Sequence, residues 1–365
     1  MWGLNKLRFL PWYVVVAMTT LVAIGIIVLY SAANGHFDPW ASKQFSRFCV
    51  GFFIMLAIAR GDPRFWYQYA YVVYGITLLL LIVVELIGFI GMGAQRWINL
   101  YFFQFQPSEM MKIALVLSLA RYFHNVYPQH LNYPRTLIFP LLMILIPVAL
   151  VLRQPDLGTA IMLLGLGGTI LFAAGIHYGY FVAAFGSILG IIPIAWHFLH
   201  QYQRNRVLNF LNPEHDPLNT GYQILQSKIA LGSGGFWGRG FLKGTQSHLN
   251  FLPAKQTDFI FTTLCEEWGM MGGLVLIGLY FILIFYGYSL ALTTRGCFGR
   301  LLVTGITMTL FFYMFINMAM VMGLVPVVGI PLPFITYGGT SLLSLMFGLG
   351  LVFSVDLQSR LLKNA

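Results

Sequence analysis

The acidic residue best suited to catalysis is Asp258, which ends a long polar stretch. Residues 201–258 interrupt a chain made almost entirely of apolar runs, and Asp258 of the segment TDFIF directly precedes an apolar helical run. A carboxylate beside cationic groups stays ionised and could take a proton from a substrate hydroxyl. Capping of the following helix by Thr257 or Asp258 is the simpler, structural role. Sequence alone leaves both roles open.

Basic residues accompany this stretch and the short loops that we assign to the same side of a membrane. They are Lys43, Arg96, Arg153, Arg204, Arg206, Lys228, Arg239, Lys243 and Lys255. Guanidinium and ammonium groups bind phosphate or pyrophosphate, and they equally contact anionic lipid headgroups. The residues predict an anion-binding surface and do not decide between these two anions.

A second pair of charges, Glu109 and Lys112, lies inside an apolar run, in the motif QPSEMMK. Pro107 suits the first turn of a helix, where the acidic side chain also meets the positive end of the helix dipole. Spaced i and i+3, the two charges share one face and predict an ion pair turned toward the bundle interior. The pair could serve function, or it could only lock helices together. Glu85 is interpreted as a carboxylate that either snorkels to the membrane surface or is paired locally.

The elements that must position these residues are membrane-spanning helices. The chain is 58% hydrophobic and 9% charged, and its mean hydropathy is +0.78, which excludes a water-soluble domain. About ten apolar windows approach the roughly 20 residues that a spanning helix needs. They lie near 12–34, 44–60, 66–90, 107–123, 136–152, 158–175, 178–200, 260–291, 301–324 and 339–356. We therefore predict an all-α integral membrane protein with a single polytopic domain, residues 1–365.

The distribution of Lys and Arg predicts the orientation. With the N-terminus inside, the inner side collects Lys6, Arg8, Arg60, Arg64, Arg121, Arg135, Arg295, Arg300, Arg360 and Lys363, whereas the outer short loops hold only Lys43, Arg47, Arg96 and Arg153. Both termini are then cytoplasmic, and residues 201–258 form a large extracytoplasmic loop between helices 7 and 8, with a short amphipathic helix near 222–231. The net charge of +10 therefore does not indicate nucleic acid, and three scattered cysteines indicate neither disulfides nor a metal site.

Two further motifs predict irregular backbone. The stretch GSGGFWGRG, residues 232–240, lacks the preceding strand of a nucleotide-binding fingerprint, so its glycines predict a tightly folded loop. The stretch PVVGIPLPFITYGG, residues 326–339, is uncharged and rich in proline and glycine. Its composition predicts a re-entrant or loop-bounded segment that lines a groove.

Several motifs in the same order resemble the SEDS family, with a preference for its elongation-specific branch. They are GAQRWI, QPSEMMK, QPDLGT, YQRNRV, GYQILQSKIALGSGG, GTQSHLNFLP, TDFIF and PVVGIPLPFITYGG, and the resemblance extends from the first span to about residue 355. It implies a peptidoglycan glycosyltransferase that polymerises lipid II at the outer face of the bacterial inner membrane.

The resemblance also implies a mechanism and roles for residues. Asp258 would take the proton of the acceptor 4-hydroxyl in a single inverting displacement that releases undecaprenyl pyrophosphate. Glu109 and Lys112 match an intramembrane pair that shapes the central cavity and its charge. The basic positions that match as substrate contacts are Lys43, Arg96 and Arg206. The implied partners are a class B penicillin-binding protein transpeptidase, the elongation machinery and membrane lipid, and a divalent cation such as Mg²⁺ could assist the leaving diphosphate.

One departure bears on the mechanism. Family members commonly read LPERHTDFIF, whereas this chain reads LPAKQTDFIF, so a histidine proton relay two residues before Asp258 is excluded and Asp258 remains as the sole base. Two alternatives to an enzyme stay open, namely a lipid II flippase and a membrane scaffold. A flippase is disfavoured because no internal repeat is evident and the polar residues concentrate on one side.

Overall fold

The computed structural model describes residues 9–364 except positions 88, 92–93, 100–103, 199–203, 205–207, 209–219, 250 and 253. Twelve α-helices form in this part of the chain. They are α1 (Trp12–Ala32), α2 (Trp40–Arg60), α3 (Pro63–Ile87), α4 (Pro107–His124), α5 (Pro134–Arg153), α6 (Leu157–Ala174), α7 (Tyr178–Phe198), α8 (Thr220–Gly234), α9 (Thr245–His248), α10 (Ile260–Thr293), α11 (Cys297–Val321) and α12 (Gly339–Asn364).

Eight of the helices in the described residues are long and apolar enough to cross a bilayer, namely α1, α2, α3, α5, α6, α10, α11 and α12. The two other predicted spans correspond to α4 and α7. The expected all-α membrane fold is therefore confirmed, with a count of spans near the predicted ten. The predicted helix near 222–231 coincides with α8.

Helix α4 lies in the centre of the bundle. Almost all of it from Pro107 to Ala120 is buried, and it packs against α3, α5, α6, α11 and α12. A Cβ placed on Gly305 of α11 would lie 2.5 Å from Cγ1 of Val116, so glycine is what allows α4 and α11 to approach so closely. Because α4 is enclosed by protein, its charged residues need partners within the protein.

A small antiparallel sheet joins α3 to α4. Its strands are β1 (Phe89–Gly91), β2 (Ala94–Asn99) and β3 (Gln104–Phe105), in the order β1-β2-β3, with Trp97 opposite Phe89 and Phe105 opposite Ile98. The sequence interpretation extended the third span to residue 90 and did not predict these strands. Glycines at positions 88, 91 and 93 of the sequence disfavour a longer helix, which explains the difference.

Helix α10 consists of two helices that meet at a sharp bend. Gly269 has φ 66° and ψ −163°, a conformation reserved for glycine. A Cβ on Gly273 would lie 3.7 Å from Cζ of Phe261, although twelve residues of straight helix would separate them by about 18 Å. The predicted continuous span 260–291 is therefore wrong in its first third, because the chain folds back on itself at Gly269.

The segment of residues 326–338, called here the proline-rich segment, is buried non-helical backbone between α11 and α12. A Cβ on Gly25 of α1 would lie 2.8 Å from Cα of Ile335, and one on Gly158 of α6 would lie 2.7 Å from the carbonyl oxygen of Val328. Gly25 is seven residues from the end of α1, about 10 Å along the helix. The predicted loop-bounded segment is thus inserted among the helices, covered by protein as irregular backbone at that depth must be.

Candidate functional site

The backbone that carries Asp258 is fixed at three consecutive carbonyl groups. The amide N–H of Tyr337 donates to the carbonyl of Gln256 at 3.0 Å, and the Thr336 hydroxyl donates to that of Thr257 at 3.3 Å. The side-chain amide of Asn317 donates to the carbonyl of Asp258 itself at 3.1 Å. The proline-rich segment and α11 therefore determine the position of Asp258.

The Asp258 side chain is half-buried, and one carboxylate oxygen lies 3.6 Å from where a Cβ on Gly329 would be. Helix α10 has Phe259 as its N-cap, and no side-chain hydrogen bond caps it. The N-cap position is therefore occupied by neither Thr257 nor Asp258, and the Thr257 hydroxyl donates to the carbonyl of Ala254 at 3.2 Å.

Two buried amide side chains, one from α11 and one from α2, hold the proline-rich segment. Asn317 also donates to the carbonyl of Ile330 at 2.7 Å, and Gln44 of α2 donates to the carbonyls of Phe334 and Thr336 at 3.4 and 3.1 Å. The amide oxygens of Asn317 and Gln44 are buried, and neither has a hydrogen-bond partner among the described residues. Both side chains therefore act as donors to backbone that has no secondary structure of its own.

The ion pair predicted within α4 is present. Lys112 Nζ lies 2.7 Å from Glu109 Oε1, and the two side chains are 1% and 5% exposed. The Tyr313 hydroxyl contacts Lys112 Nζ and donates to Glu109 Oε2. Tyr313 and Asn317 are four residues apart on α11, so one face of this helix contacts both the ion pair and the Asp258 backbone.

The two glutamates of the run TDFIFTTLCEEWG, Glu266 and Glu267, lie just before the bend that the chain makes at Gly269. Glu266 accepts hydrogen bonds from the amide N–H groups of Gln246 and Ser247 at 2.8 and 3.2 Å. Glu267 accepts from the hydroxyl of Ser31, at the end of α1, and lies 3.3 Å from Nε2 of His248. Both carboxylates are buried and fasten the polar stretch to the bend.

The loop of residues 232–240, called here the glycine loop, pairs with the bend backbone to backbone. The amide N–H groups of Arg239 and Gly240 donate to the carbonyls of Glu266 and Glu267, both at 3.0 Å, and Met270 donates to Gly235 at 2.9 Å. A Cβ on Gly234 would lie 2.1 Å from the carbonyl oxygen of Cys265. The loop is tightly folded, as expected, and it packs against the bend.

Several predicted basic residues contact the chain itself. Arg96 donates from Nε to the carbonyl of Gln154 at 3.1 Å and from Nη2 to that of Pro155, with Nη1 3.8 Å from Asp156. Arg153 pairs with Glu85 at 3.6 Å, which agrees with local pairing, one of the two interpretations of Glu85. Arg96 thus fixes the turn between α5 and α6.

Among the remaining basic residues, Lys43 is exposed in the first turn of α2, and Arg206 lies outside the described residues. Lys255 is buried and donates to the carbonyl of Ser247 at 2.8 Å. Burial lowers the pKa of its ammonium group below the ordinary lysine value. Arg47 lies one turn after Lys43, 4.7 Å over the Tyr337 ring; from sequence it is counted in an outer short loop but not proposed as a site residue.

The structure therefore unites some predicted residues and separates others. Asp258, Glu109 and Lys112 are connected through α11, whereas Arg96 lies against the α5–α6 turn. Sequence reasoning missed Tyr313 and Asn317, which make the connection, and Gln44, which holds the proline-rich segment. Gln44 and Asn317 did carry a signal, since polar side chains inside apolar spans are rare and usually functional.

No group of three or more His, Cys, Asp and Glu side chains in the described part of the chain could hold a metal ion. Magnesium commonly uses one or two carboxylates together with substrate phosphates. The half-buried Asp258 carboxylate fits that limited contribution.

A helical bundle with a buried ion pair, and a carboxylate held by inserted irregular segments at one end, defines a polytopic membrane protein with a polar site at that end. The chain belongs to the FtsW/RodA/SpoVE family of cell cycle proteins, whose family model it matches over residues 10–361. It is 42% identical over 354 residues to the peptidoglycan glycosyltransferase MrdB of Escherichia coli K12, covering 95% of each chain. It is 36% identical over 317 residues to MrdB of Helicobacter pylori, covering 85% of this chain and 81% of the relative.

Two solved structures share the fold. One comes from work on the structural coordination of polymerization and crosslinking by a peptidoglycan synthase complex, with a TM-score of 0.84 and 32% identity over 95% of this chain and 98% of that chain. The other is the rod shape determining protein RodA of Thermus thermophilus, with a TM-score of 0.71 and 28% identity over 97% and 98%. The recognition made from the motifs is confirmed.

Proposed function

We propose that this chain, a peptidoglycan glycosyltransferase, polymerises lipid II into glycan strands with Asp258 as general base. The observation that supports the assignment is the fixation of the Asp258 backbone through the carbonyls of three consecutive residues, Gln256, Thr257 and Asp258. A fixed, half-buried carboxylate is already oriented before the substrate binds, which is where a general base gains most of its effect.

The proposed reaction is one displacement. Asp258 accepts the proton of the 4-hydroxyl on the acceptor sugar as that oxygen attacks the anomeric carbon of the donor. The bond from this carbon to the undecaprenyl diphosphate breaks, with inversion, and the diphosphate leaves with the bonding electrons. Cationic groups stabilise the charge that develops on the leaving diphosphate, and the exposed Lys43 and the half-buried Arg47 of α2 are available for this.

We assign the buried ion pair of α4 to the electrostatics of this site rather than to proton transfer. Tyr313 shields both charges, and α11 transmits their position to Asp258 through Asn317. Arg206 stays a candidate substrate contact. Arg96 also stays a candidate, but its effect on substrate binding would be indirect, because its donors hold the α5–α6 turn. A divalent cation such as Mg²⁺ would be held mainly by the substrate diphosphate.

We further propose that the chain lies in the bacterial inner membrane with both termini cytoplasmic and with Asp258 on the outer face. The excess of Lys and Arg in the short loops at the opposite end supports this orientation. A class B penicillin-binding protein transpeptidase is the proposed partner. The solved structure with a TM-score of 0.84 to this chain comes from a peptidoglycan synthase complex that coordinates polymerization and crosslinking.

The test is lipid II polymerisation by the purified protein together with its transpeptidase partner. Asp258→Asn should lower the rate by at least about a hundredfold, the lower range for loss of a general base, with unchanged thermal stability. Glu85→Gln is the matched control, a carboxylate on the same side whose one ion pair among the described residues is with Arg153, and it should polymerise normally. Equal polymer from Asp258→Asn and wild type would refute the assignment. Lipid II crossing liposome bilayers without any polymer would favour the flippase.

A further inference from the structure

A cavity of about 760 Å³ lies at the end of the bundle opposite Asp258. Phe298, near the start of α11, forms part of its wall. Nineteen residues of helix, about 28 Å, separate Phe298 from Asn317. The first turns of α3 and the last turns of α4, α10 and α12 complete the wall. The cavity is therefore too far from Asp258 to belong to the polymerisation site.

The cavity is strongly cationic. Three arginines and a histidine line it, Arg64, Arg121, His124 and Arg295, and its described lining includes no Asp or Glu. Within the described residues none of these arginines forms an ion pair, whereas Arg360 on the neighbouring α12 is paired with Asp356 at 2.9 Å. The Asp62 carboxylate accepts from the amide N–H of Arg64 and from the side chain of Gln358, but it forms no ion pair with these arginines within the described residues. The positive-inside rule accounts for arginines at this end, but it does not account for the convergence of three unpaired ones on one cavity.

Arg121 is held in place in advance of any ligand. Its guanidinium carbon lies 4.4 Å from the ring centroid of Tyr71 and 5.2 Å from that of Tyr67, and its Nη1 donates to the carbonyl of Gln68 at 2.7 Å. Its Nε is buried and has no hydrogen-bond partner among the described residues. A buried donor without an acceptor is costly, so the guanidinium group of Arg121 is short of hydrogen-bond acceptors.

Two further features indicate the kind of anion. The 25-residue helix α11 begins in the cavity, where Gly296 and Gly299 expose its first turn, so the positive end of its dipole adds to the arginine charge. Most of the remaining wall is apolar, with Tyr67, Phe298 and Val355. A ligand with a phosphate group next to a hydrocarbon portion complements both surfaces.

We propose that this cavity binds the phosphate headgroup of an anionic phospholipid from the adjacent membrane leaflet. Arg121 and Arg295 contact the phosphate, and the apolar wall accommodates the start of the acyl chains. Free phosphate offers the same anion, but it leaves the apolar wall in contact with water.

The experiment is native mass spectrometry of the detergent-solubilised protein titrated with phosphatidylglycerol or with phosphatidylcholine. Wild type should retain phosphatidylglycerol with about tenfold or greater preference, and the double variant Arg121→Gln, Arg295→Gln should lose that preference. The matched control is Arg135→Gln, Arg300→Gln, which removes two exposed arginines of the same end that do not line the cavity. Because Arg121 is partly buried, the single variant Arg295→Gln, which changes an exposed side chain, gives a second reading if the double variant unfolds.

Each outcome decides the proposal. Loss of preference in the cavity variants, with the control unchanged, supports it. Equal loss in the control pair would mean general attraction to a basic surface and would overturn it. Release of bound phosphatidylglycerol by millimolar inorganic phosphate or glycerol phosphate would overturn the lipid as the source of the anion.

Discussion

Asn317 is the residue on which the geometry of Asp258 depends most directly. Its two amide hydrogens go to the carbonyls of Asp258 and Ile330, so one side chain joins the residue proposed as base to the proline-rich segment. The side chain is fully buried, which makes each of these hydrogen bonds costly to lose. We therefore class Asn317 as a positioning residue that acts through the backbone.

Replacement of Asn317 by leucine tests this role. Asn317→Leu keeps a similar side-chain volume but removes both donors, so the carbonyl of Asp258 loses its partner and the carboxylate is displaced. We expect kcat for lipid II polymerisation to fall by roughly tenfold to a hundredfold, because an error of about 1 Å in position costs this much. KM should change little, since Asn317 itself contacts no substrate.

The control is Thr304→Ala on the same helix, which removes an exposed hydroxyl whose only described hydrogen bond is to the carbonyl of Arg300 at 2.8 Å. It should leave kcat unchanged. If Asn317→Leu raised KM and left kcat intact, Asn317 would act on substrate binding and not on the placement of Asp258.

Individual site residues differed in how far the sequence could predict them. Glu109 and Lys112 were predictable because charges inside an apolar run must find a partner, and their i, i+3 spacing supplies one. Tyr313 was not, because a tyrosine in a membrane helix is common and its two partners are about 200 positions away in the chain. Asn317 shows the same limit, since it binds carbonyls of two irregular segments whose paths the sequence does not reveal.

At the scale of elements, the bend at Gly269 places the polar stretch against the bundle. A Cβ on Gly269 would lie 2.3 Å from the amide nitrogen of Gly238 and 2.6 Å from the carbonyl oxygen of Phe236. These atoms are backbone and cannot move without breaking the pairing between the glycine loop and the bend. Glycine is required at positions 269 and 238, because both have a positive φ and neither leaves room for a Cβ.

Gly269→Ala should therefore destabilise the protein by about 1–3 kcal/mol from the disallowed backbone alone, with a further loss from the contact with Gly238. Thermal unfolding in detergent measures this as a lower midpoint, and polymerisation should fall with it because the bend lies eleven residues from Asp258. Gly278→Ala lies in the same helix, where a Cβ meets nothing within 4 Å, and it should leave both quantities unchanged. Equal midpoints for the two variants would contradict the proposed role of the bend.

Elements of regular pattern were predicted well, and elements defined by close contact were not. Apolar length alone located the spanning helices to within a few residues at most ends. The bend lies in the run WGMMGGLV, which reads as an ordinary glycine-containing membrane helix, and only its pairing with the glycine loop makes it bend. The strands at residues 89–105 are two to six residues long, too short for an alternating pattern to stand out.

At the scale of the whole molecule, the buried charges of α4 connect its stability to its function. Five helices surround α4, so neither Glu109 nor Lys112 can reach water when its partner is removed. Removal of one partner of a buried pair typically costs about 3–5 kcal/mol, whereas replacement of both can be nearly neutral. Lys112→Met alone should therefore lower the unfolding midpoint strongly, and Glu109→Gln with Lys112→Met should restore most of it.

The double variant separates the two interpretations of the pair. If the ion pair only locked helices together, a variant with restored stability would polymerise lipid II as wild type does. We expect instead that polymerisation stays at least about tenfold below wild type. The variant keeps the packing around Tyr313, but it lacks the two charges that contact Tyr313 and so fix the position of α11. Restored stability with restored activity would assign the pair to structure alone, and Asp258 would then be positioned by the proline-rich segment and Asn317 without help from α4.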